Sequence, residues 1–116
     1  MRTIVHSRGG RDVAECISDG LILKNVQDFL DLVANSPSRA IILHKENIIP
    51  EFFDLKTTIA GEILQKASNY RVRIGIVGDF ANIKSKSLRD FIYESNATGE
   101  VIFMQSVEEV LQQFWG

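Results

Sequence analysis

The stretch KENIIPEFFDLKTTIAGEILQKASNYRVRIGIVGD, residues 45–79, decides the fold. It reads as the end of a buried strand, a loop holding Pro50, a long amphipathic helix, and a second buried strand that stops at Gly78-Asp79. Phe52, Leu55, Ile59, Ala60, Ile63, Leu64 and Ala67 recur at three- and four-residue steps and so share one helix face. Pro50 suits a helix start, where a first-turn residue needs no amide donor. Asn69 offers a turn, and Arg71 to Val77 follows as a run rich in β-branched residues. Strand, helix and strand in about 40 residues predict a βαβ unit with parallel strands and a right-handed crossover.

Composition limits what can surround that unit. The chain of 116 residues fits a single domain, 1–116, long enough to bury a core without disulfides or a metal. A net charge of −2 points away from nucleic acid as a partner, because phosphate binding wants a basic face. The single cysteine, Cys16, lies in an alternating apolar segment and reads as a buried, inert thiol. Two histidines and one cysteine give no metal-ligand spacing, so neither a metal nor another cofactor is expected. No apolar run approaches the roughly 20 residues that span a bilayer, and Met1-Arg2-Thr3 leads into a strand pattern rather than a signal peptide. The expected compartment is the cytoplasm, without membrane association.

Working outward, Thr3 to Ser7 and Val13 to Ile17 read as strands joined by the turn Arg8-Gly9-Gly10-Arg11, an antiparallel hairpin. Leu21-Ile22-Leu23 fits either a short strand or a lead-in to the next helix. Asn25 is placed to cap that helix, with Asp28 in its first turn and Val26, Phe29, Leu30 and Val33 as its buried stripe. Ser36-Pro37-Ser38 ends it, and Ala40 to Leu43 is a continuous apolar run, the mark of a central strand. Past residue 79, Phe80 to Lys84 is a loop, and Ser85 and Ser87 compete to cap a helix carrying Leu88, Phe91 and Ile92. Val101 to Met104 is the last strand, and Ser106 with Glu109 forms a capping box for a final helix. The order ββαβαβαβα predicts an α/β domain, a mainly parallel sheet flanked by helices with an antiparallel N-terminal hairpin.

Ligands in open α/β sheets gather beyond the carboxyl ends of parallel strands. Three ends are readable: Lys45-Glu46-Asn47, Gly78-Asp79-Phe80 and Gln105-Ser106. The segment Glu51, Asp54, Lys56, Thr57 and the loop Lys84 to Ser87 should face the same edge. Lys84, Lys86 and Arg89 suit an anion at a helix start, although a solvated, serine-capped loop is the plainer reading. Asp79 suits a general base or an ion ligand, or more simply a turn cap. Gly61 inside the long helix suggests close packing, at a cost of roughly 1 kcal/mol against alanine. His44 reads as a structural, hydrogen-bonded histidine, and His6 as a surface residue. Arg71 and Arg73 share a strand face where helix carboxylates can pair with them, and Phe114-Trp115 either caps the core or enters an oligomer interface.

Several long motifs carry a resemblance: Lys45-Glu46-Asn47-Ile48, Phe52 to Thr57, Ala60 to Lys66, Ser68 to Val72, Val77-Gly78-Asp79-Phe80 and Ser85 to Asn96. Together they resemble a small bacterial family, domain-of-unknown-function family 4180, across nearly the whole chain. That family implies no activity. The element order is also similar to the STAS domain of sulphate transporters and anti-sigma-factor antagonists. The resemblance implies partner binding, often switched by phosphorylation of a Ser or Thr just after the third strand. Here that loop, Glu46 to Glu51, holds neither, and Thr57 and Thr58 come later, inside the predicted helix.

Two functions from different classes follow. The first is a non-catalytic, STAS-like regulatory module that meets a protein partner at the edge around Glu46, Asp54, Thr57 and Asp79, with Phe80 beside it. The second is a small-molecule or anion-binding protein, an enzyme or not, with Asn47, Asp54, Lys56, Asp79, Lys86 and Arg89 around a pocket. A concave cavity would favour the second. A homodimer through the C-terminal helix is a third reading.

Overall fold

Four parallel strands and one antiparallel edge strand form the sheet in a computed structural model that describes residues Met1–Gly116. The elements are β1 (Arg2–Arg8), β2 (Arg11–Ile17), α1 (Val26–Asn35), β3 (Ala40–His44), α2 (Ile59–Tyr70), β4 (Arg73–Val77), α3 (Lys86–Thr98), β5 (Val101–Met104) and α4 (Val107–Trp115). Gly9 and Gly10, at φ 59° and 78°, make the two-residue turn between β1 and β2, a geometry that glycine adopts without strain.

Spatial order follows chain order, β1-β2-β3-β4-β5. Each right-handed crossover steps the same way across the sheet, so α1, α2 and α3 all fall on one face. Their layer holds the larger core, with Phe29, Leu43, Phe52, Ile63, Ile76 and Phe103 among its members. The other face is left to α4, which follows the last strand and is not a crossover. It packs Val110 and Phe114 on Val13, Ile42 and Ile102. Gly75 is required there, because a Cβ would lie 2.3 Å from Val110 Cγ1.

The central stretch departs from the sequence reading at the start of its helix. Three short 3₁₀ turns, Lys45–Asn47, Pro50–Phe53 and Leu55–Thr57, precede α2, which begins at Ile59. Asp54 caps the third turn by accepting from Lys56 N at 3.1 Å. Thr58 then sits at φ 63°, in the left-handed region that no continuous helix can pass through. Phe52 is buried all the same, since 3₁₀ and α periods nearly coincide over so few residues. Thr57 and Thr58 accordingly precede α2 and do not lie inside it.

Smaller differences have similar causes. Asn69 stays helical, and the turn falls on Arg71 at φ 56°, so β4 starts at Arg73. Arg73 pairs with no carboxylate: its guanidinium lies 4.2 Å from the Phe114 ring centroid. Gly61 is exposed with no atom near a would-be Cβ, so close packing does not explain it. Ser85 caps α3 by accepting from Leu88 N, and Asp90 pairs with Lys86 at 2.8 Å rather than with Ser87. Leu32, outside the predicted stripe, is buried with Phe29 on α1. Leu23 forms a single parallel bridge to Ile48. Phe114 is 5% exposed and caps the α4 layer.

Candidate functional site

A cavity of about 550 Å³ opens at the carboxyl ends of β3 and β4. Its wall is built from His44, Lys45 and Glu46 after one strand and Val77, Gly78 and Asp79 after the other, with Leu21, Ile48 and Pro50 alongside. The volume lies in the range of small-molecule sites.

Local chemistry builds each side. Asn47, 2% exposed, donates from Nδ2 to the carbonyls of Ser18 at 2.8 Å and Gly20 at 2.9 Å. Its own carbonyl accepts from Ile22 N and Leu23 N. That clamp holds residues 18–23 over the sheet and presents Leu21 to the cavity. Gly78 lets the Lys45 stem cross close above it, since a Cβ there would come within 2.6 Å of Lys45 Cβ. The Lys45 ammonium then donates to the Asp79 carbonyl at 3.0 Å and lies 5.1 Å and 5.6 Å from the Phe80 and Phe53 ring centroids. A second hollow of about 240 Å³, lined by Phe53, Phe80, Ile83 and Leu88, adjoins the first through Lys45, Ile48 and Pro50.

Behind His44 stands the feature that single-residue reading missed. Glu15 on β2 is 7% exposed and accepts from two imidazoles, His6 Nε2 at 2.8 Å and His44 Nε2 at 2.7 Å. Strand register explains the meeting: Ile4 faces Glu15 on one side and Ile42 on the other, so His6 and His44 stand diagonally from it on the same sheet face. α4 packs mainly on β3–β5 and reaches β2 at Val13, which leaves the carboxylate toward the rim of the covered face. Burial pushes the Glu15 carboxyl up, yet the hydrogen bonds and charges of His44 and His6 outweigh it and hold the group below its usual range. Neighbouring Cys16, on the opposite face, has its thiol pushed up by burial and by the Glu15 charge, so it stays an unreactive thiol.

An ionised carboxylate only accepts, so Nε2 of each ring carries the proton. The Nδ1 of His44 has no protein partner and is not a buried orphan, so it is open to solvent, and His44 is one of the residues that line the cavity. Chemically this is an imidazole oriented by a carboxylate, able to accept a hydrogen bond or a proton from a bound molecule. No group of three or more His, Cys, Asp or Glu side chains converges as a metal ion would need.

The residues expected at this edge divide into two sets. Glu46 and Asp79 line the cavity together, and Phe80 lines its neighbour. Asp79 also closes a turn, with Oδ1 accepting from Ala81 N at 2.9 Å. The others serve the chain itself. Asp54 caps a turn, and Thr57 Oγ1 donates to the carbonyls of Glu51 and Asp54, both at 2.8 Å. Arg89 holds the carbonyls of Ile83 and Lys84, each at 2.9 Å, while Lys86 is paired with Asp90. Lys56 is exposed and, like Lys86 and Arg89, lies outside the cavity lining. The signal that could have found Glu15 was a charged residue at an inward position of a strand flanked on both sides, with histidines at matching positions of β1 and β3.

The chain belongs to the family described as a domain of unknown function (DUF4180), which matches residues 8–114. No curated protein and no solved structure matches it. No helix is long and apolar enough to cross a membrane.

Proposed function

We propose that this DUF4180 protein binds a small molecule rich in hydrogen-bond donors, an amine or a polyhydroxylated compound, in the cavity beyond β3 and β4. The observation that carries the reading is His44, a cavity-lining imidazole held by a buried carboxylate, with its second nitrogen free of any protein partner. Fold stability gives little reason for Glu15, because a well-packed apolar residue commonly serves as well as a buried ion pair. The free polar groups of the cavity-lining side chains are acceptors: Glu46, the second Asp79 oxygen and His44 Nδ1. Lys45, the cation there, is spent on the Asp79 carbonyl and two rings. An anion finds weaker support, since Lys86 and Arg89 are engaged elsewhere.

A thermal-shift panel of polyamines, amino alcohols and amino sugars tests this. A compound at about 100 times its Kd adds roughly 2.7 kcal/mol, several degrees in Tm for a domain of this size. The shift should vanish in a Glu46→Gln/Asp79→Asn double variant, which keeps the turn bond to Ala81 while removing both charges. A blank panel, or hits that survive in the double variant, would overturn the reading.

A second reading is the STAS-like regulatory module that meets a protein at the same edge, supported by Leu21, 48% exposed on the cavity rim. It operates without a switch at Thr57, whose hydroxyl is committed to two carbonyls. Leu21→Asp should then abolish partner capture while the domain stays folded.

A further inference from the structure

The two edges of the sheet are finished differently. On β5 the helix α3 closes the edge: Asn96 takes the Phe103 N–H on Oδ1 at 2.7 Å and gives Nδ2 to the Phe103 carbonyl at 3.3 Å. Ser95 Oγ donates to the Val101 carbonyl beside it. No such device guards β1. Its seven residues are all exposed except His6, which is partly so.

Hairpin geometry says which groups are free. A two-residue turn makes Arg8–Arg11 a hydrogen-bonded pair, and His6–Val13, Ile4–Glu15 and Arg2–Ile17 repeat it along the ladder. Thr3, Val5 and Ser7 therefore turn their N–H and C=O outward, and no other segment takes them up. Ile4 and Val5, on opposite faces, are 37% and 46% exposed. Each face of this open edge therefore carries one exposed apolar side chain among polar ones.

The charges select the occupant. Arg2, His6 and Arg8 share the Ile4 face, β1 holds no acidic residue, and neither arginine makes an ion pair. A second copy fits poorly: full-length pairing about a two-fold at Val5 would set Arg2 against Arg8 twice, and like charges directly opposite repel. We propose that β1 accepts an extended, acidic segment of a partner protein as a sixth, antiparallel strand. Its acidic residues would stand opposite Arg2 and Arg8, with an apolar residue opposite Ile4 and a neutral polar one opposite His6, whose Nε2 is held by Glu15. The mode is strand addition, in which main-chain bonds give affinity and alternate side chains give specificity.

The test uses the full chain and two blocked heptapeptides, Glu-Thr-Thr-Val-Val-Thr-Glu and the same peptide with lysine for each glutamate. Amide NMR should show the acidic peptide shifting Thr3, Val5 and Ser7, with the lysine peptide at least tenfold weaker. Added salt should weaken the acidic complex. Val5→Pro removes an outward N–H that the hairpin does not use, and should abolish the shifts while the remaining spectrum stays folded. An Arg2→Glu/Arg8→Glu variant should reverse the preference, a readout that stands even if the proline variant unfolds. Equal binding of the two peptides, no binding at millimolar peptide, or an unchanged preference in the charge-reversed variant would overturn the proposal. So would a dimer that excludes both peptides and dissociates on Val5→Pro, because the occupant would then be a second copy.

Discussion

Replacing Glu15 by leucine separates a structural carboxylate from a functional one. Glu15 stands between Ile4 and Ile42 in the sheet and is 7% exposed, so leucine there gains about 2 kcal/mol of apolar burial. Against that stand the bonds from His6 and His44, about 1.5 kcal/mol each. The low end of the charge-assisted range applies because the two imidazoles keep 27% and 24% of their surface in water and can rehydrate. Glu15→Leu should lie within about 1 kcal/mol of the parent at neutral pH, whereas Glu15→Ala, which fills nothing, loses about 3 kcal/mol. Urea denaturation followed by far-UV circular dichroism measures both. The acid limb supplies a second arm. Because the Glu15 carboxyl is held below its usual 4.5, the unfolded chain takes up a proton that the folded protein refuses. The parent thus has stability that is present above that value and lost as pH falls through the folded pKa, and the leucine variant lacks this loss. Its stability should decline less steeply between about pH 5 and pH 3. If Glu15→Leu is as damaging as Glu15→Ala and keeps the parent's acid limb, the carboxylate is structural and the ligand reading loses its main support.

The packing sets further outcomes. Gly61→Ala should stabilise by about 0.5 kcal/mol, as an open helical position, while Gly75→Ala should cost about 1–3 kcal/mol through its clash with Val110; Val110→Ala should relieve part of that cost in a double-mutant cycle. Thr58→Gly, at φ 63°, should raise the denaturation midpoint by relieving about 1 kcal/mol of strain. Asn96→Ala strips Phe103 of its two side-chain bonds and should cost about 1–2 kcal/mol, with concentration-dependent aggregation visible by light scattering as the β5 edge opens.

What could be read from the sequence was whatever short-range periodicity controls. The strand Val101–Met104 and the Ser106–Glu109 cap stand as expected, with Glu109 N donating to Ser106 Oγ at 3.2 Å. The start of α2 was illegible because Phe52 and Leu55 keep helical spacing through two 3₁₀ turns, and nothing local marks a threonine for a left-handed backbone. Glu46 and Asp79 come together because β3 and β4 are adjacent and parallel. The His6–Glu15–His44 cluster needed the register of three strands at once, which no window along one strand contains. The cavity itself lacks the usual topological origin, since a sheet whose order never reverses has no switch point. It depends on the Asn47 clamp, which holds residues two elements away.

A sheet whose spatial order copies its chain order can be assembled in the direction of synthesis. Each strand has its neighbour already made when it emerges, and each crossover helix covers the same side. The opposite side waits for α4. A chain that ended at Met104 would hold five paired strands with Val13, Ile42 and Ile102 bare on that side, a surface suited to chaperone capture. Arg11 grips the Trp115 carbonyl at 2.6 Å, across 104 positions, so the first hairpin keeps a docking point vacant until the last helix arrives.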